Sequence, residues 1–126
     1  MDFSFSEEQN LLRNSIARFL QDHYSLDTRR DIVASAEGWR PDVWTQFADL
    51  GLMAAAFPEA HGGFRTSAVD SLVIMEEFGK GLVVEPYLQT AIIGGAFLRY
   101  GAPAAMQEAL IPAIIEGKIV VAFAYA

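Results

Sequence analysis

Lys118-Ile119-Val120-Val121-Ala122-Phe123-Ala124-Tyr125-Ala126 reads as a β-strand. Alanine, valine and aromatics dominate it, no charge follows Lys118, and no turn closes it. Everything before it reads as helix. One strand cannot pair with itself, so its sheet is expected from later sequence or another chain. The expected fold is therefore all-α, with about six helices and a short C-terminal strand stub. Residues 1–117 are expected to form the helical domain, with 118–126 opening a further, β-type domain. The uncharged Val120-to-Tyr125 edge is a template for pairing between chains.

The helices announce themselves in order. Ser6-Glu7-Glu8-Gln9 has capping-box spacing, with acids in the first turn to suit the helix dipole. Leu12, Ile16, Phe19 and Leu20 then recur at helical spacing, predicting a helix from Glu7 to Tyr24. A second follows the Ser25 cap, from Leu26 to Ser35. Pro41 opens a third, with Val43, Trp44, Phe47 and Leu50 as its apolar face and Gly51 as its stop. Leu52 to Phe57 is a short apolar stretch that turns into a loop at Pro58-Glu59-Ala60-His61-Gly62-Gly63. Thr66 or Ser67 opens the fourth helix, which ends near Gly79, with Leu72, Met75 and Phe78 or Val73 facing inward. The fifth runs from Pro86 to Gly101 and the sixth from Pro103 to Glu116-Gly117.

A chain of 126 residues is one domain of ordinary size. At 52% hydrophobic and 20% charged it is apolar for that size, which suggests contact with another domain, a subunit or an apolar ligand. A net charge of −7, with no basic cluster longer than Arg29-Arg30, argues against nucleic acid. The absence of cysteine excludes disulfides and thiolate metal sites. No signal peptide opens the chain, and no apolar run approaches the ~20 residues of a membrane span, so a cytoplasmic location is expected.

His23 and His61 lie far apart, with no spacing that converges on a metal ion. No Gly-x-Ser-x-Gly elbow presents a serine nucleophile. Glu76-Glu77 adjoins an apolar helix face, but neighbours on a helix project about 100° apart, which suits one solvated carboxylate and one anchoring an amide or an arginine. Gly62-Gly63 reads as a turn needing positive φ or a close backbone approach. Gly94-Gly95 inside a helix costs about 2 kcal/mol relative to alanines, so something compensates. Close packing and a ligand chain against bare backbone both remain open. Trp39, Trp44, Phe47, Phe64 and Phe78 are expected in core or inter-helix contacts. Composition and spacing reach a helical domain that docks on something apolar.

Five segments in order resemble the N-terminal helical domain of the flavin-dependent acyl-CoA dehydrogenases. They are Phe5-Ser6-Glu7-Glu8-Gln9, Trp44 to Leu52, Phe57 to Gly63, Ile74-Met75-Glu76-Glu77-Phe78-Gly79, and Ile111 to Ala126. The opening residues and Val84-Glu85-Pro86-Tyr87 look most like the branch of the pimeloyl-CoA dehydrogenase small subunit. The resemblance implies a three-domain flavoenzyme in which a carboxylate of the C-terminal domain removes the α-proton of an acyl-CoA thioester while the β-hydride passes to flavin. By that likeness the acyl-chain wall falls on Tyr87, Leu88, Ala91, Ile92 and Gly95. Flavin contact falls on Phe123, Tyr125 and Ala126, where Ala126 departs from the family's threonine. FAD belongs to the full-length protein, none is expected on this fragment, and a homo- or hetero-oligomer is implied. No catalytic residue or metal ligand is assigned to this chain, which is expected to be inactive by itself. The alternatives are a stand-alone helical binding or adaptor domain, or the N-domain of a related flavin oxidase or monooxygenase.

Overall fold

Ser6 opens α1 (Glu7–His23) through a capping box: its hydroxyl accepts the Gln9 N–H at 3.1 Å, and the Gln9 side chain accepts the Ser6 N–H at 3.0 Å. The Ser25 hydroxyl likewise accepts the Thr28 N–H at the start of α2 (Leu26–Ala34). Both satisfy donors that a helix start leaves without partners. The computed structural model describes residues 4–64 and 67–125, and the chain divides into two compact units.

The first unit joins Met1–Trp39 to Ala68–Val84. Within it α1 packs on α4 (Ala68–Lys80). Ile16 and Leu20 of α1, Ile32 of α2, and Val73, Ile74 and Phe78 of α4 are buried. Leu72 was expected to face inward with them, yet it is 57% exposed. The buried stripe of α4 runs along 73, 74, 77 and 78, and at helical periodicity position 72 falls on the opposite side. Met75 is half-buried. Of the two candidate openers of this helix, Thr66 lies outside the described residues and Ser67 directly precedes it.

The second unit joins Arg40–Ser67 to Glu85–Ala126. Pro41 occupies the first turn of α3 (Pro41–Asp49), where its missing N–H costs nothing, and Val43, Trp44 and Phe47 are buried. Leu50, expected on that face, is the C-cap and remains exposed. Leu52 to Phe57 form an entirely buried run containing a 3₁₀ turn (Ala54–Ala56), and a second 3₁₀ turn (Glu59–His61) follows Pro58. Phe64, expected in the core, is 57% exposed, and its ring lies against Gly51.

A helical rod follows, but not as the single α-helix expected. Leu88–Gly94 is π-helical and runs without a break into α5 (Gly95–Gly101). Next, α6 (Ala104–Ile115) packs on α5. At its end Gly117 adopts φ +69°; its N–H bonds the Ile114 carbonyl and the Lys118 N–H bonds the Ala113 carbonyl, both at 2.9 Å. These are the paired bonds of a Schellman cap, a position that favours glycine. Residues 118–125, expected as a strand, carry no regular secondary structure. A strand exists through its ladder, and no second strand occurs among the described residues. Among them, six α-helices make the fold all-α.

Candidate functional site

The wide turn of the rod sets up the site. The Gly95 N–H reaches back to the Thr90 carbonyl, five residues earlier, as well as to that of Ile92. Single π turns inside helices accompany functional sites more often than plain helix does. Here the turn directs Thr90 and Gly94 toward the C-terminal segment and Gly95 toward Phe57. Thr90 is buried, and its hydroxyl donates to the Val121 carbonyl at 2.9 Å while accepting the Val121 N–H at 3.1 Å. A Cβ on Gly94 would stand 3.0 Å from Val121 Cγ1, and one on Gly95 would stand 2.9 Å from the tip of the Phe57 ring. Both glycines therefore accommodate side chains of this chain at close range. Nearer the end of the rod, the Phe97 and Phe123 rings stack with centroids 4.5 Å apart and planes 14° apart.

Between α5, the start of α6 and the C-terminal segment lies an open cavity of about 360 Å³. Gly94, Phe97, Leu98, Gly101, Met106 and Phe123 are among its lining residues. Phe97, Met106 and Phe123 are about half exposed. A concave wall of hydrocarbon and aromatic rings with bare glycine backbone suits an apolar chain. It gains about 25 cal/mol for each Å² of apolar surface it covers.

The residues expected at the acyl chain are spread around the rod. Tyr87 and Ala91 are buried, Ile92 is half-buried, Leu88 is exposed, and Gly95 faces Phe57. Tyr87 donates its phenol proton to the Leu52 carbonyl at 2.9 Å, and burial pushes its pKa up. None of these five lines the cavity, whereas Phe123 does. Tyr125 is 90% exposed, and Ala126 lies outside the described residues. Sequence reasoning missed Thr90, Phe97, Leu98, Met106 and Val121. The available signal was the spacing of Thr90, Gly94, Phe97 and Gly101, which recur about one turn apart on one face of the rod.

The paired carboxylates behave as ion-pair partners within the first unit. Glu77 is buried, 2.7 Å from Lys80 Nζ and 3.5 Å from Arg13 Nε. Glu76, more exposed, meets Arg13 and Lys80 at 3.0 Å each. The hydrogen bond from Lys80, with its positive charge, holds the Glu76 carboxyl below its ordinary value; bonds to Glu77 and Glu76 raise Lys80. Among the described residues no group of three or more histidines and carboxylates could hold a metal ion. No helix among them is long and apolar enough to cross a membrane. For a flavin, Tyr125 offers an exposed ring and Phe123 only the face that Phe97 does not cover, and Lys118, the cation of that segment, is tied to Glu116 at 2.5 Å. These residues by themselves do not enclose such a group.

The sequence profile described as the acyl-CoA dehydrogenase N-terminal domain matches residues 6–118. Acyl-CoA dehydrogenase IpdE2 of Mycolicibacterium smegmatis is 34% identical over 104 residues, covering 82% of this chain and 33% of that protein. Mitochondrial isovaleryl-CoA dehydrogenase of Pongo abelii is 27% identical over 122 residues, covering 94% of this chain and 29% of its own length. The solved Tcur3481-Tcur3483 steroid ACAD variant superposes with a TM-score of 0.84 at 25% identity, over 92% of this chain and 32% of that one. The ChsE4-ChsE5 complex of Mycobacterium tuberculosis shares the fold, with a TM-score of 0.85 at 21% identity over 97% of this chain and 34% of that one. The chain thus spans about a third of the length of the relatives it matches. By the match of its helices from the Ser6 cap to the Gly117 stop, this chain belongs to the acyl-CoA dehydrogenase N-terminal domain family.

Proposed function

We propose that this chain is the substrate-pocket and assembly domain of a cytoplasmic, FAD-dependent acyl-CoA dehydrogenase, and that it is inactive without the remainder of that enzyme. The observation that carries the reading is the apolar cavity walled by the rod, α6 and the segment that carries Phe123. In the full-length enzyme, FAD would supply the acceptor for the hydride lost by the acyl chain. This domain's own part is to exclude water from the hydrocarbon chain, with Phe97 and Met106 on one side and the bare backbone of Gly94 between them. Tyr87, Leu88, Ala91, Ile92 and Gly95 support the same wall from within the rod. Phe123 and Tyr125, with Ala126 beyond them, form the edge of the flavin site. The likeness to a steroid ACAD and to the ChsE4-ChsE5 complex supports an acyl-CoA thioester as substrate and an oligomer as the working form.

The test uses the full-length protein beside this chain. The full-length protein should purify yellow and reduce an artificial electron acceptor with an acyl-CoA, while this chain alone should be colourless and inactive. Gly101→Leu, at a cavity-lining position where an added Cβ meets nothing within 4 Å, should in the full-length protein raise KM for long acyl chains more than for short ones. Stoichiometric flavin on this chain alone would overturn the division of labour. An equal effect of Gly101→Leu on all acyl lengths would remove the cavity from the acyl path.

A further inference from the structure

Helix α3 starts without a cap of its own. Its N-cap, Arg40, makes no side-chain cap bond, and its third residue, Val43, has no side-chain oxygen to return. In α1 the Gln9 side chain at that position accepts the N-cap N–H. At α3 the acceptor comes from 45 residues away: the buried Glu85 carboxylate takes the Arg40 N–H at 3.4 Å. A carboxylate there also faces the positive end of the helix dipole, which offsets part of the cost of burying it. Two residues on, the buried Tyr87 phenol donates to the Leu52 carbonyl at 2.9 Å, just past the other end of α3. Pro86 between them has a fixed φ, and its carbonyl accepts the Thr90 N–H at the start of the rod.

We propose that Glu85 is a positioning residue that, with Tyr87, seats the rod on α3 and thereby sets the acyl wall and its chain-length preference. The seat itself stands on the contacts, whereas its effect on acyl chains rests on the proposed function. Three contacts make the seat: Glu85 at Arg40, Tyr87 at Leu52, and Gly95 at Phe57, where an added Cβ would stand 2.9 Å from the ring tip. Leu52 and Phe57 are the two ends of one buried run, so the rod is held at both ends of it. Together the three fix the position of the rod along that run and its rotation. A roll by one residue, about 100°, would carry Phe97 off the cavity and Thr90 off Val121. Leu88, Ala91 and Ile92 follow the seat directly and take their direction from it.

Backbone amide and ring NMR signals of this chain test the seat. Glu85→Ala should shift the Arg40 amide and also amides along the rod as far as Gly94 and Phe97, and weaken the contact between the Phe97 and Phe123 rings. Glu85→Gln keeps an acceptor oxygen at the same place and should restore both. Changes confined to residues 39–44 and 84–87 would reduce Glu85 to a local cap and overturn its positioning role. Should Glu85→Ala fail to fold, Glu85→Asp decides by the same signals, since it withdraws the carboxylate by one methylene. In the full-length protein, Glu85→Ala should raise KM for long acyl chains about tenfold more than for short ones, the weight of one charge-assisted hydrogen bond, and leave kcat near its original value. A fall in kcat alone, equal at all acyl lengths, is the mark of a merely structural role and would overturn the effect on chain length. A full-length protein without flavin or turnover would defeat the proposed function, and the rod signals of this chain would still decide the seat.

Discussion

The two units of this domain are held together by different means. In the first, polar side chains reach across between elements. Arg13 of α1 meets Glu76 and Glu77 of α4, Gln9 donates to Asp70 at 3.0 Å, and the Tyr24 hydroxyl accepts the Val84 N–H at 3.1 Å. In the second, side chains press on bare backbone: the buried Phe57 ring on Gly95, and the Ala48 methyl on Gly117. Their helix ends differ in the same sense. Gly51 and Gly117 take the left-handed position after α3 and α6, at φ +76° and +69°. After α4 that position falls to Leu82 at φ +54°, whose carbonyl accepts a bond from Arg29 Nε at 2.9 Å. A polar cross-link there offsets a conformation that leucine adopts only at a cost. The unit with these close approaches is also the one that carries the apolar cavity, where Gly94 and Gly101 lie beside Phe97, Met106 and Phe123.

The strongest way to break the comparison is Gly63→Ala in the second unit. Its Cβ would fall 2.0 Å from the Phe57 carbonyl oxygen, which is backbone and cannot step aside. A loss of about 3 kcal/mol, read from urea unfolding, is the expected outcome. A loss below about 1 kcal/mol would show that backbone approach does not govern this unit. In the first unit, Glu77→Ala removes the buried partner of Lys80 and Arg13. It should cost about 2 kcal/mol, with faster amide exchange in α1 and α4. An unchanged urea midpoint would mean that apolar packing carries the first unit as well.

Smaller and opposite in sign, Leu82→Gly should gain about 0.5–1 kcal/mol by relieving the left-handed leucine. A loss instead would assign the Leu82 side chain a packing role that its 54% exposure does not suggest. The smallest effect is that of pH. Glu76 is held below its ordinary 4.5, so its contribution is complete above that value and fades as pH falls through the depressed one. Lys80 is raised above 10.5, so its contribution is present below that and is lost as pH climbs past the raised value. Amides of α1 and α4 should therefore lose protection in acid before those of the rod and α6, and equal loss in both units would erase the distinction.

Local signals made the helices legible before any packing was known. Ser6, Ser25, Pro41, Gly51 and Gly117 act through their own backbone or the next few residues, and each occupies the cap or stop expected of it. The Gly62-Gly63 turn was read for either a positive φ or a close approach. Gly62 shows the first, at φ +86°, and Gly63 the second. Less of the site was legible. The π turn arises from a five-residue bond between Gly95 and Thr90 that no residue type in the rod announces. It rotates the face on which Thr90, Gly94 and Phe97 meet the C-terminal segment. Hydrophobicity alone likewise did not separate Leu72 and Phe64 from buried neighbours of the same character.

By itself the sequence determined the all-α class, the order of the helices with most of their ends, and the family, because caps, stops and apolar periods are written in residues close along the chain. Tertiary structure decided which glycine faces which side chain, how Glu76 and Glu77 share Arg13 and Lys80, and that Thr90 holds Val121. Thr90 and Val121 are 31 residues apart, and Arg13 and Glu76 are 63 apart. Contacts at such separations depend on the rotation and packing of whole helices, which no local pattern specifies.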